Sequence, residues 1–282
     1  MTTALVRTSG NGFELTLTVG WEDVKKVYEQ VVDLVVAESE KEGFRKGKAP
    51  RDLVLKDLDK GKIYGEVINQ LLPKAYANAL EEHKLKPIIS PKVQIVSADE
   101  EKDWVFRAVA CEKPNVDLRN ALEQVKSLNA KAKIWKPGEE EKKETVEDKS
   151  KKINEIISKI LEICVVELAP SLLEQETQRL MSQLVNDVRA AGLTMEQYLS
   201  SSGKTSEQLN AHYAQEAKNN LSLEFILEEI AIKEKISVSQ QEVQAVIEKE
   251  SDPKVKENLT AQSYMLTSIL KREKVLTYLA NL

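Results

Sequence analysis

Residues 13–35 read FELTLTVGWEDVKKVYEQVVDLV, and the spacing of their apolar side chains changes halfway. Phe13, Leu15, Leu17 and Val19 alternate with Glu14, Thr16 and Thr18, the period of two that marks a half-buried strand. From Trp21 the apolar positions are Trp21, Val24, Tyr28, Val31 and Val35, a helical spacing that runs to about Glu40. Before this stretch, Gly10-Asn11 is a turn signal, so Leu5 to Thr8 is expected to pair back as a short first strand. After it, a loop spans Lys41 to Arg51. A long helical face then begins near Lys60 with Tyr64, Val67, Ile68, Leu71, Leu72, Ala75, Tyr76, Ala79 and Leu80. Pro73 lies inside that face and is expected to kink it. Val93 and Ile95 start another strand, and Trp104, Phe106 and Ala108 alternate with Val105, Arg107 and Val109 in a last one to about Glu112. Strands, then helices, then strands describe an α+β domain over 1–112, a small antiparallel sheet with helices.

Residues 113–150 have a different composition. They hold Pro114, Pro137-Gly138 and the run EEEKKETVEDKSKK, which suits a solvated connector that builds no core. From 151 to 282 every segment reads as helix, and we count six helical segments after residue 150. Ile153, Ile156, Ile157, Ile160, Leu161 and Cys164 form one stripe. Leu173, Leu180, Leu184 and Val188 form another, and Leu259, Leu266, Ile269, Leu270, Leu276 and Leu279 mark the last helix. Thr194 with Gln197, Thr205 with Gln208 and Ser239 with Glu242 have the spacing of capping boxes. The fold class expected is an α+β N-terminal domain followed by an elongated all-α domain.

Composition closes off several functions. The chain has 282 residues, a net charge of −5 and 31% charged residues, so its overall field does not favour nucleic acid. No run approaches the ~18 apolar residues of a membrane span. The first residues, MTTALVRTSGNGFE, lack the apolar region of a signal peptide, so a cytoplasmic protein is expected. Cys111 and Cys164 are too few for a disulfide framework or a zinc site, and both read as buried thiols. His83 and His212 sit among charged helical residues with no nucleophile beside them. Ser202-Gly203-Lys204-Thr205 resembles the end of a phosphate-binding loop. The glycine required five residues before Gly203 is Tyr198 instead, so a helix break capped by Thr205 is the better reading. No cofactor or metal is expected.

One segment stands apart. Over residues 41–51, KEGFRKGKAPR, the net charge is +4, while residues 1–112 together are at −2. Gly43 and Gly47 bracket Phe44-Arg45-Lys46 and allow a tight exposed turn. Phe44 at the tip of a cationic loop has no evident place to bury itself. The pattern suits a docking tip in which cations meet phosphates or acidic protein and the ring fills an apolar pocket.

Gly43-Phe44-Arg45-Lys46-Gly47-Lys48-Ala49-Pro50 resembles the ribosome-binding signature of bacterial trigger factors, GFRxGKxP, with each fixed position filled. The flanks resemble that family as well, with a helix containing Tyr28 before the loop and Leu71-Leu72-Pro73-Lys74-Ala75-Tyr76 after it. So do GLTMEQYLSSSGKTSEQL at 192–209 and LEEIAIKEKISVSQQEV at 227–243. The resemblance covers about 1–118 and 150–282. It implies an ATP-independent chaperone whose N-terminal domain docks on protein and RNA of the large ribosomal subunit near the exit tunnel. It assigns that contact to Gly43, Phe44, Arg45, Lys46, Gly47, Lys48 and Pro50. It further implies a helical domain that shields nascent or unfolded polypeptides, for which Leu180, Leu184, Val188, Leu266 and Ile269 are the expected client-facing residues. It also allows a homodimer off the ribosome. The chain departs from the family at 113–150, which is too short for the FKBP-type peptidyl-prolyl isomerase domain found there. Trp135 is the one aromatic residue between Phe106 and Tyr198. Isomerase activity is therefore not expected, and no catalytic residue is assigned. The alternatives are an isomerase as in full-length relatives, a nucleic-acid binder using the +4 loop, and a holdase that works without ribosomes.

Overall fold

The structure is a computed structural model and describes residues 1–40, 44–48, 50–57, 59–132, 146–250 and 252–282. It divides into two compact units, Met1–Lys113 with Ala169–Leu172, and Pro114–Leu168 with Leu173–Leu282.

The first unit is built on a four-stranded antiparallel sheet of order β1-β2-β4-β3, with β1 Thr2–Arg7, β2 Gly12–Val19, β3 Lys92–Ser97 and β4 Trp104–Cys111. The first strand lies earlier than the 5–8 expected. Gly10 and Asn11, both at positive φ, form the two-residue turn between β1 and β2, closed by Gly12 N–H donating to Ser9 O at 3.1 Å. The period-two reading of β2 and β4 holds. Phe13, Leu15, Leu17 and Val19 lie opposite Ala110, Ala108, Phe106 and Trp104, and all eight are buried. Large residues face small ones at one end of the pair, so the inner face stays filled without crowding. Helix α1 (Trp21–Glu38) contributes Val24, Val31 and Val32 to this core. Helix α3 (Lys60–His83) contributes Ile63, Val67, Ala75 and Ala79, and continues across Pro73. Asp59 caps α3 by accepting from Gly61 N–H. A ring ladder, Tyr28–Tyr64–Trp104–Phe106, joins the helices to β4 with centroids 5.5, 5.6 and 6.3 Å apart. Between α1 and α3 lies a short helix, α2 (Arg51–Asp57), which the sequence reading did not separate from the loop.

Among the described residues, the second unit is helical apart from one short antiparallel pair, β5 (Val116–Asp117) with β6 (Val165–Val166). Its helices are α4 (Ala121–Ala132), α5 (Val146–Ile163), α6 (Pro170–Ala190), α7 (Met195–Ser202), α8 (Ser206–Lys233), α9 (Gln240–Lys249), α10 (Pro253–Ala261) and α11 (Ser263–Asn281). The first turn of α6 counts with the first unit. Two expectations need correction. Seven described helices extend beyond residue 150, not six, because the expected last helix is two, α10 and α11, meeting at Gln262. The expected core-free connector over 113–150 does not hold for 114–132. There Leu118, Ala121 and Val125 are buried with Ile156, Ile160, Ile226, Ile230, Val275 and Leu279. The charge-rich run from 133 to 145, with Trp135, lies outside the described residues. Asn129 of α4, also buried, donates from Nδ2 to Leu279 O at 2.9 Å.

The three capping boxes form as read. Thr194, Thr205 and Ser239 each accept from the backbone N–H three residues on. Gln197, Gln208 and Glu242 each accept from the backbone N–H of the capping residue. Gly203, at φ +64, closes α7, so the phosphate-loop likeness is a helix end followed by a helix start.

Candidate functional site

The cationic segment leaves α1 and enters α2. Its described residues are Phe44 to Lys48, Pro50 and Arg51; Gly43, Lys41, Glu42 and Ala49 lie outside the described residues. The entry is fixed at Ser39, whose N–H and hydroxyl both donate to Val36 O at the end of α1. Ser39 O then accepts from Gly47 N–H at 3.0 Å. Lys48 N–H donates to Arg45 O at 2.9 Å, which makes 45–48 a tight turn with Gly47 in its third position. Gly47 has φ +71, and a Cβ there would stand 2.5 Å from Ala37 O. This is a position only glycine fills without displacing backbone. Pro50 O accepts from Leu53 and Val54 N–H at the start of α2. Val54 is buried and holds that helix down.

The turn presents a ring and three cations. Phe44 is 45% exposed, and Arg45, Lys46 and Lys48 are exposed with no ion pair to another described residue. Arg51 is different. Its guanidinium donates through Nη2 to Glu29 Oε2, and its Nη1 lies 3.4 Å from Asp33 Oδ1, both on α1. The hydrogen bond to Glu29 is the largest influence raising the Arg51 pKa above its usual value. The arrangement suits recognition of a partner that offers phosphates or carboxylates around a small apolar pocket.

In the second unit, four of the five expected client-facing residues are core. Leu180 is buried. Leu184 and Val188 pack with Leu209 under Met181, Met195, Tyr198 and Tyr213. Leu266 packs with Val243 and Ile247. Leu184, Val188 and Leu266 are covered by residues of their own unit, the usual fate of an apolar helix face. Ile269 alone is open, at 56% exposure. It shares a cleft of about 390 Å³ with Tyr264 and Met265 on α11 and Leu227 on α8. Glu224 and Glu228 of α8 and Lys271 and Arg272 of α11 add charged groups to the lining. Tyr264 is 87% and Met265 59% exposed. The sequence reading missed both because they lie off the leucine–isoleucine stripe. Met265 with Ile269, four residues apart, was the available signal of a second face.

His83 Nε2 lies 3.0 Å from Thr3 Oγ1, and His212 is exposed beside Glu216. Both thiols are buried. Burial pushes the Cys164 thiol up to about 11, with Asp117 adding to it, and raises Cys111 as well. No group of three His, Cys, Asp or Glu is placed to hold a metal ion among the described residues. No described helix is long and apolar enough to cross a membrane.

Comparison with known proteins agrees with the resemblance. The family model described as bacterial trigger factor protein (TF) matches residues 1–149, and that described as bacterial trigger factor protein (TF) C-terminus matches 129–281. Trigger factors of Staphylococcus epidermidis and Staphylococcus aureus are 35% and 36% identical over 118 residues, 42% of this chain and 27% of theirs. The matched stretch is thus about a quarter of the length of those relatives. A solved chain, from work on promiscuous substrate recognition in folding and assembly by the trigger factor chaperone, superimposes with a TM-score of 0.67. It covers 100% of this chain and 99% of that one at 14% identity, a likeness of fold.

Proposed function

Because this chain belongs to the bacterial trigger factor family, we propose that it is a chaperone that docks on the large ribosomal subunit and shields emerging polypeptides. The observation that carries the reading is the turn at 44–48, where an exposed phenylalanine and three outward cations stand on a turn that only glycine can close. Phe44, Arg45, Lys46 and Lys48 make the contact, Gly43 and Gly47 shape it, and Pro50 starts the helix behind it. The partner supplies phosphates and an apolar recess, as RNA and protein together do. The protein works without ATP and without isomerase activity, its client released by its own folding. It acts in the cytoplasm and pairs with a second copy when off the ribosome. Residues 1–113 serve docking, and the helical unit serves clients.

The client surface centres on Tyr264, Met265 and Ile269, in place of the buried leucines. Tyr264 is 87% exposed and Met265 and Ile269 a little more than half. Covering all three gives several kcal/mol at ~25 cal/mol per Å², against an association cost of about the same size or more. One such site therefore holds a client weakly, and a client that spans several is held better and still leaves. Occupying exposed apolar surface in this way keeps unfinished chains from aggregating.

The test is co-sedimentation of the full chain with ribosomes. Phe44, Arg45 and Lys46 changed together to Ala should abolish it while the circular dichroism spectrum is kept. Wild-type binding should weaken steeply with salt, because cations on phosphates release counterions. Equal pelleting of the triple variant would reject the site. No pelleting of wild type, with aggregation of an unfolded client still suppressed, would favour a holdase that works without ribosomes.

A further inference from the structure

We propose that Arg51 is the positioning residue of the docking turn: by spanning Glu29 and Asp33 on α1 it fixes where residues 44–48 stand. The proposal rests on the docking reading above and extends it to a residue outside the contact set.

The turn stands on two feet. One is Ser39, tied to the end of α1 and to Gly47 N–H. The other is the first turn of α2, and there the described polar ties to α1 are those of Arg51. Helix α2 has seven residues, too few to be stable alone, so its place depends on what it is fastened to. Glu29 and Asp33 lie one helical turn apart on α1, and like charges at that spacing repel. A guanidinium reaches both with separate N–H groups, which an ammonium cannot do. One cation thus relieves the repulsion within α1 and fastens α2 to it. Tyr28, next to Glu29, is the remaining group close to this charge.

The geometry also explains a mismatch of charge. Two carboxylates beside a loop meant for phosphates would weaken docking if left bare. Arg51 neutralises them inwardly, and Arg45, Lys46 and Lys48 stay free to face outward. Of the four described cations of the segment, Arg45, Lys46, Lys48 and Arg51, the last is the one engaged at home.

The experiment compares wild type with Arg51→Ala, Arg51→Lys and the charge swap Glu29→Arg with Arg51→Glu, which keeps the net charge. Two readouts are taken on the full chain, hydrogen exchange at the Gly47 amide without ribosomes and ribosome affinity across a salt series. Arg51→Ala should speed Gly47 exchange and weaken binding by about three- to tenfold, the scale of losing two partly exposed ion pairs. Its salt slope should match wild type, because no phosphate contact is lost. Arg51→Lys should recover part of the affinity and the swap most of it. Unchanged exchange and affinity in Arg51→Ala would overturn the proposal. A shallower salt slope with no recovery in the swap would also overturn it, by making Arg51 a phosphate contact. If wild type itself ignores ribosomes, the docking reading fails, and Gly47 exchange still decides whether Arg51 orders the turn.

Discussion

Asn129 allows the packing of the helical unit to be tested with one atom. It is 2% exposed on α4, and its Nδ2 donates to Leu279 O in the last turn of α11. The final carbonyls of a helix have no partner within it, so this amide supplies a bond that the backbone cannot. Its Oδ1 has no hydrogen-bond partner among the described residues, so part of its burial cost goes uncompensated. Asn129→Ala removes the donor and the unpaired oxygen together. The net loss should be about 1–2 kcal/mol, the middle of the range for orphaning a buried acceptor. Asn129→Asp is the sharper variant. At neutral pH the introduced carboxylate cannot donate to Leu279 O, and it is buried against the negative end of α11. The cost should be about 3–5 kcal/mol. Burial raises the folded-state pKa of that carboxyl above the ~3.9 of an unfolded chain. The folded variant then holds its proton more tightly than the unfolded one. Its stability is therefore fully present below about pH 4 and is lost as pH rises through the folded pKa. Relative to wild type, Asn129→Asp should recover on acidification from pH 7 toward 4.5. Denaturant unfolding followed by circular dichroism at several pH values reads this directly. A deficit that does not depend on pH, or Asn129→Asp as stable as wild type at pH 7, would refute the assigned bond.

Gly47→Ala should leave the melting temperature within a few degrees and weaken ribosome binding by roughly tenfold or more, because an alanine at positive φ costs about 1–2 kcal/mol before its Cβ meets Ala37 O. Glu242 has its carboxyl lowered to about 2, first by the Lys274 ammonium and then by the Ser239 amide and hydroxyl. Any stability it lends is present above the ordinary carboxylate range and fades as pH falls toward 2, and Lys274→Met should move its NMR titration back toward 4. Thr205→Ala removes one capping box and should destabilise the helical unit by about 1 kcal/mol in denaturant titration. Changing Tyr264, Met265 and Ile269 together to Ser should leave ribosome binding intact and weaken suppression of client aggregation, measured by light scattering.

Local signals in the sequence were reliable wherever one side of an element faces water. The alternation at 13–19 and 104–108 gave the strands and their inward residues, because a half-buried strand writes its exposure into a period of two. The capping boxes were legible because each is complete within four residues. Burial among helices was not. Leu184, Val188 and Leu266 have the same pattern whether a neighbouring helix or a client covers them, and that depends on pairings such as α9 with α11, which no local window contains. The charge-rich composition of 113–150 hid α4, whose buried apolar residues, Ala121 and Val125, are few and small. At the 44–48 turn, the glycine and the exposed ring were readable. The contacts of Arg51 were not, since Glu29 and Asp33 lie some twenty residues away in the chain.

The core of the helical unit joins Leu118, Ala121 and Val125 to Val275 and Leu279, across some 150 positions. During synthesis, the early members must wait exposed until the late ones are made. A message cut short before α11 would yield a product with Ile226 and Ile230 of α8 uncovered, a sticky surface of the kind this family is read as guarding. Such a fragment should need supervision from a finished copy of the same protein.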